Sequence, residues 1–215
     1  MRKLWDRYKE SWYSRDFRFS LPLSILLFSI SLVINFLAIR FATEQASNPV
    51  TDIILSNTRA YEVDGLFVYG TLIVVLFSIA MVFAYPKRIP FALHALTLFI
   101  IIRSLFTSLT HTGPFEETYI TDFGHVINNA FFGADHFFSA HTGMPFLGAL
   151  AFWHIPWIRW CFIGASIFFA VVVLLGHLHY TIDVAAAFFI TYAIYHLAVQ
   201  IFRREHRLFL ADTKE

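Results

Sequence analysis

The chain has 215 residues, of which 58% are hydrophobic, 19% aromatic and only 14% charged. A soluble domain is nearer half apolar and a quarter charged, and one core of this length does not hide 26 Phe. The net charge of +1 offers no basic field for a nucleic-acid partner, and one cysteine, Cys161, excludes a disulfide framework and a cysteine-based zinc site.

An integral membrane protein remains. Runs of about 20 apolar residues mark membrane-crossing helices, and the sequence carries six: Ser20–Phe41, Gly65–Tyr85, Phe91–Thr110, Ser139–Trp157, Ile158–Leu178 and Thr181–Phe202. The fourth is the shortest and the most polar at its start. The runs are continuous, whereas the strands of a membrane barrel alternate polar and apolar residues. The expected fold is therefore all-α, with six transmembrane helices in one domain over 20–202. Residues 1–19 form an N-terminal segment and 203–215 a tail. The first apolar run is long for a secretory signal and reads as a retained anchor.

Thirteen of the 16 Lys and Arg residues fall before the first helix, in the second and fourth connections, and after the sixth helix. The opposite connections hold Arg59, with Arg40 at a helix end, and carry Glu44, Asp52, Glu62, Asp64, Glu116, Glu117 and Asp122. The positive-inside rule then puts both termini in the cytoplasm. Trp5, Trp12, Trp153, Trp157 and Trp160 all fall near cytoplasmic boundaries, where interfacial anchors belong. The two long external connections, 42–64 and 111–138, are long enough to have roles. Asp52 in the first reads as a solvated loop acid.

Ionisable residues at membrane depth default to function, and these gather toward the external side. His141 opens the fourth helix, His177 and His179 end the fifth, and Asp183 lies one turn into the sixth. Arg103 lies eight residues before His111, about 12 Å below the outer boundary. With His179 and Asp183 four apart, a helix would stack them on one face, so that the carboxylate fixes the imidazole tautomer and frees the other nitrogen as nucleophile or base. His141 is placed to act as general acid. Ser139, Thr142 and the amides opening the fourth helix suit an anion, and Arg103 supplies a cation with phosphate geometry. His177, two residues from His179, would face away. Bland readings stand beside these: Arg103 pairing with Asp135 for packing, and Asp135 capping the fourth helix.

Phe138-Ser139-Ala140-His141-Thr142-Gly143 and His179-Tyr180-Thr181-Ile182-Asp183-Val184 resemble the two signature motifs of the sphingomyelin synthase-like branch of the type 2 phosphatidic acid phosphatase (PAP2) superfamily. Asp135, four residues before Ser139, matches an aspartate of the synthase pattern. Arg103, Thr107 and Pro114, and separately Pro49-Val50-Thr51-Asp52, are weaker echoes. The resemblance implies a PAP2-like helical core. It also implies a catalytic set of His141, His179 and Asp183, with substrate held by Arg103, Asp135, Ser139, Thr142 and Tyr180, and neither metal nor cofactor. His179 would attack phosphorus, Asp183 would orient it, and His141 would protonate the departing diacylglycerol oxygen and then activate the acceptor. Partners would be a membrane phospholipid donor and a lipid alcohol such as ceramide, or water in a phosphatase or phospholipase C-like hydrolase. The expected location is a plasma membrane of bacterial inner type, with the site facing outward; oligomeric state is left open.

Two departures matter. Ala140 stands where the pattern has glycine, and the cationic Lys–Arg-Pro motif of the phosphatase branch is absent. With few cations, a singly charged phosphodiester suits the site better than a phosphomonoester, which favours headgroup transfer. An iron site of the membrane-desaturase kind would resemble adjacent His-His pairs, and none of the 10 His are adjacent. A non-catalytic lipid-binding or scrambling protein would show a lost motif histidine or aspartate, and none is lost.

Overall fold

The computed structural model describes residues 4–110, 112–115 and 137–211. Helices α1 (Leu4–Tyr13), α2 (Arg15–Glu44), α3 (Asp64–Phe83), α4 (Ile89–Leu109), α5 (Ala140–Ala151), α6 (Pro156–Leu175), α7 (Thr181–Ile201) and α8 (Arg203–Ala211) make up the described residues, with two short 3-10 turns and no strand among them. The all-α expectation holds. Among the described residues, five helices are long and apolar enough to cross a membrane: α2, α3, the Pro86–Leu109 segment containing α4, α6 and α7.

The fourth expected span, Ser139–Trp157, is a helix of only 12 residues, α5. It rises about 18 Å, short of a hydrocarbon core of about 30 Å. Its ends are nonetheless fixed near two distant points of α4. Arg103 Nε of α4 donates to Phe138 O at 3.0 Å just before α5. At the other end the guanidinium of Arg88, beside the start of α4, lies 5.2 Å from the Phe152 ring centre. Those points are separated by about 22 Å of helix. A stretch of 137–139 and a turn of 152–155 thus lengthen the path of α5.

α4 lies at the centre. Ser20, Ser24, Ser31, Ala38 and Ala42 of α2 are buried at helical spacing, and small side chains let two helices approach closely without a driving force from water. Ser104 Oγ of α4 donates to Asn35 Oδ1 across this contact at 3.3 Å. The main core is aromatic: Phe91, Phe99, Phe138 and Phe209 are fully buried. Gly143 matters here. A Cβ on it would stand 2.9 Å from the Phe99 ring and 2.8 Å from Thr191 Oγ1. Gly143→Ala is therefore expected to cost about 1–3 kcal/mol through overpacking. Thermal unfolding in detergent tests this, and an unchanged midpoint would show that the ring gives way freely.

Within the segments 1–19 and 203–215, α1 and α8 pack on the Lys- and Arg-rich end of the bundle. Arg7 Nη1 and the Tyr8 hydroxyl of α1 donate to Ala84 O and Phe83 O, and the guanidinium groups of Arg7 and Arg88 each lie 4.0 Å from the Tyr85 ring centre. Phe209 of α8 packs on Phe91 and Phe152, while Ser20 donates to Glu205 at 2.6 Å and Arg204 pairs with Asp16.

Candidate active site

α6 ends in a Schellman turn: Leu178 N donates to Val173 O at 2.8 Å and His177 N to Leu174 O at 3.2 Å. This geometry needs a left-handed residue after the cap, and His177 takes it with φ 54°. His177 is buried, its Nε2 lies 3.3 Å from Thr58 Oγ1, and its ring meets Phe115 edge-on. It does not sit on a helix facing away from His179. It belongs to the packing that closes the turn.

His179 also precedes its helix, since α7 begins at Thr181. The pair survives without a shared helical face: His179 Nδ1 stands 3.6 Å from Asp183 Oδ2, both side chains being buried. That separation is longer than a hydrogen bond. Asp183 Oδ2 accepts instead from Tyr180 N at 3.0 Å, so one carboxylate both orients the ring and closes the turn before α7. Nδ1 is thus the ring nitrogen turned to the carboxylate.

The two sequence motifs meet through the main chain, where Ser139 N donates to Asp183 O at 3.2 Å. Ser139 caps α5, its Oγ accepting from Thr142 N at 3.4 Å. Thr142 is fully buried, and its carbonyl accepts from Ser166 Oγ at 2.7 Å. His141 is half-buried in the first turn of α5, with the Phe67 ring centre 4.3 Å and the Phe169 ring centre 5.9 Å from its own. Phe67, Phe169 and Val184 form one apolar cluster, which links the wall beside His141 to the residue after Asp183. Arg103 and Thr107, one turn apart on α4, hold the entry to α5: Nε donates to Phe138 O and Oγ1 donates to Phe137 O, each at 3.0 Å. Arg103 thus has a structural bond whatever else it binds. Asp135, expected as a substrate ligand or helix cap, lies outside the described residues. Among the described residues, no group of three or more His, Cys, Asp or Glu side chains is arranged to hold a metal.

Asp52 is the acidic residue that sequence reading misplaced. Its two oxygens accept from Thr181 N and Thr181 Oγ1, each at 2.7 Å, and Oδ1 also takes the amides of Ile54 and Leu55. Nearby, the Tyr180 hydroxyl donates to Gly113 O at 2.9 Å and accepts from Val50 N. Tyr180, expected as a substrate contact, therefore ties both external connections to the start of α7. Partial burial would raise the Asp52 pKa, but bonds from the Thr181 hydroxyl and the Leu55, Thr181 and Ile54 amides outweigh it and hold the group below its usual value. A depressed carboxylate adds stability that is full above the unfolded pKa of about 4 and is lost as pH falls through the lower folded value. The difference in thermal midpoint between wild type and Asp52→Ala should hold from neutrality to about pH 5 and shrink below about pH 4. A constant difference down to pH 3 would contradict this.

The segment that supplies Ser139, His141, His179 and Asp183 is the part of the chain with a family match. Residues 133–200 match the PAP2 superfamily C-terminal family. The match covers about a third of the chain, α5 through almost all of α7, and supports membership of that superfamily. It points to lipid-phosphate chemistry of the phosphatase or phosphotransferase type. Arg103 and Asp52 lie outside the matched segment. No curated protein and no solved structure matches the chain.

Proposed function

We propose that the protein is a membrane phosphotransferase that moves a phospho-headgroup from a glycerophospholipid to a lipid alcohol through His179, in the manner of the sphingomyelin synthase-like branch. The observation that carries this reading is the buried His179–Asp183 pair, joined by one main-chain bond to the Ser139 cap of the helix whose first turn carries His141.

In the first step His179 Nε2 donates its lone pair to phosphorus, a P–N bond forms, and the P–O bond to diacylglycerol breaks. His141 gives its proton to the departing oxygen. Asp183 stabilises the positive charge that develops on the His179 ring. In the second step His141 takes the proton of the acceptor hydroxyl, whose oxygen attacks phosphorus and releases His179. The first-turn amides of α5 face developing phosphate charge, as helix N-termini do. Arg103 supplies the cation, and Ser139, Thr142 and Asp135 complete the binding set, while the Tyr180 hydroxyl stays with the two external connections.

The path of α5, from beside Arg103 to beside Arg88, supports six crossings, and the basic end on which α1 and α8 pack is then the cytoplasmic one. The site then opens to the outer leaflet of a plasma membrane of bacterial inner type. Burial of His179 and Asp183 favours a lipid acceptor over water, because a closed site limits hydrolysis of a reactive intermediate.

The test is purified protein in vesicles containing phosphatidylcholine, phosphatidylethanolamine, phosphatidylglycerol, phosphatidic acid and a fluorescent ceramide, with lipid products and released phosphate followed together. A headgroup-bearing ceramide with matching diacylglycerol is expected. Free phosphate or free phospho-headgroup without lipid transfer would establish hydrolysis instead.

A further inference from the structure

We infer that Asp52 is a positioning residue of this site: through Thr181 it fixes the first turn of α7, and with it Asp183 and His179. The inference rests on the reading of those two residues under Proposed function and adds a residue that neither the signature motifs nor the matched family segment contains.

The first amides of a helix have no partner within it, and a Ser, Thr, Asp or Asn at the cap usually supplies one. α7 has Tyr180 at that position, and its hydroxyl is committed to Gly113 O. For the first amide of α7 the acceptor comes from 129 residues away, where Asp52 takes both the amide and the hydroxyl of Thr181. A carboxylate at this end is also favoured by the helix dipole.

Thr181 lies midway between His179 and Asp183. Rotation of its peptide carries both side chains, and the Asp183 carbonyl that receives Ser139 N moves with them. Asp52 is itself held at Oδ1 by the amides of Ile54 and Leu55, and its loop is pinned farther along by Tyr61 N donating to Leu175 O at 2.8 Å. The anchor therefore has a rigid base, and it controls the spacing of the groups that act on phosphorus. Misplacement by about 1 Å costs on the order of 10²-fold in rate.

The experiment uses the full chain in the mixed vesicles described above, with wild type, His179→Ala, Asp52→Ala, Asp52→Asn, Thr181→Val and the double variant Asp52→Ala with Thr181→Val compared. Rates are normalised to folded protein, and deuterium uptake is read across 179–184. Asp52→Ala is expected to lower kcat about tenfold with KM within about twofold, and to raise uptake in that segment. Asp52→Asn keeps one acceptor and should recover part of the rate; it carries the test if the alanine variant does not fold. Thr181→Val should cost less in the Asp52→Ala background than in wild type, as coupled neighbours do. An unchanged kcat with raised uptake would make Asp52 a loop fastener only, and unchanged uptake would remove the anchor. His179-dependent turnover in wild type beside either result leaves the proposed function standing. Absence of turnover in wild type would overturn that function and the positioning role together.

Discussion

Replacing His179 by alanine should lower turnover by on the order of 10⁴-fold or more in a protein that still folds. The loss is this large because a nucleophile has no substitute at its position: without the P–N bond the reaction must bring donor and acceptor together in one step. Folding should survive because His179 lies in the turn between α6 and α7, outside both helices, so alanine interrupts neither ladder. Circular dichroism and the thermal midpoint provide the control. Substantial turnover in a folded His179→Ala protein would end the histidine mechanism, and the role of His141 as the proton carrier would fall with it.

Asp183 should give the second largest effect, and two substitutions divide its roles. The carboxylate faces the ring of His179 and also accepts from Tyr180 N. Asp183→Asn preserves shape and an oxygen for the amide but removes the charge that stabilises a cationic imidazole. Its kcat should fall about 10²–10⁴-fold with little change in KM and little change in stability. Asp183→Ala removes the amide's acceptor as well, so it should add a stability loss of about 1 kcal/mol to the same loss of rate. Steady-state kinetics and thermal unfolding of the two variants check this together. An asparagine variant with near-normal kcat would reduce Asp183 to a helix-start residue.

The parts of the fold that could be read in the sequence are those set by local pattern. Long apolar runs located α2, α3, α4, α6 and α7 to within a few residues, because each helix satisfies its own backbone and needs only a sustained apolar stretch. α5 escaped as a short helix because the apolar run continues through Phe152, Trp153 and Ile155 after the helix has ended. α1 and α8 escaped because their buried faces are narrow, one of them resting on Phe209 among charged neighbours. In the site, His179 and Asp183 could be paired from spacing alone, although the helix assumed between them starts only after His179. Asp52 could not be placed this way. Its partner Thr181 lies 129 residues downstream, and no periodicity connects a loop acid to a helix start at that distance. Thr58 and His177 met for the same reason, through the left-handed turn that ends α6.

The central claim is that phosphorus passes through a covalent bond to His179, and trapping that intermediate tests it most directly. The protein would be mixed with phospholipid vesicles lacking any acceptor lipid, quenched at alkaline pH where a phosphohistidine persists, digested and examined by peptide mass spectrometry. The peptide containing His179 should carry the mass of the phospho-headgroup. The adduct should be lost on brief acid treatment, be absent from His179→Ala, and accumulate with a matching amount of diacylglycerol. Diacylglycerol release without an adduct at His179, or an adduct on another residue, would contradict the account.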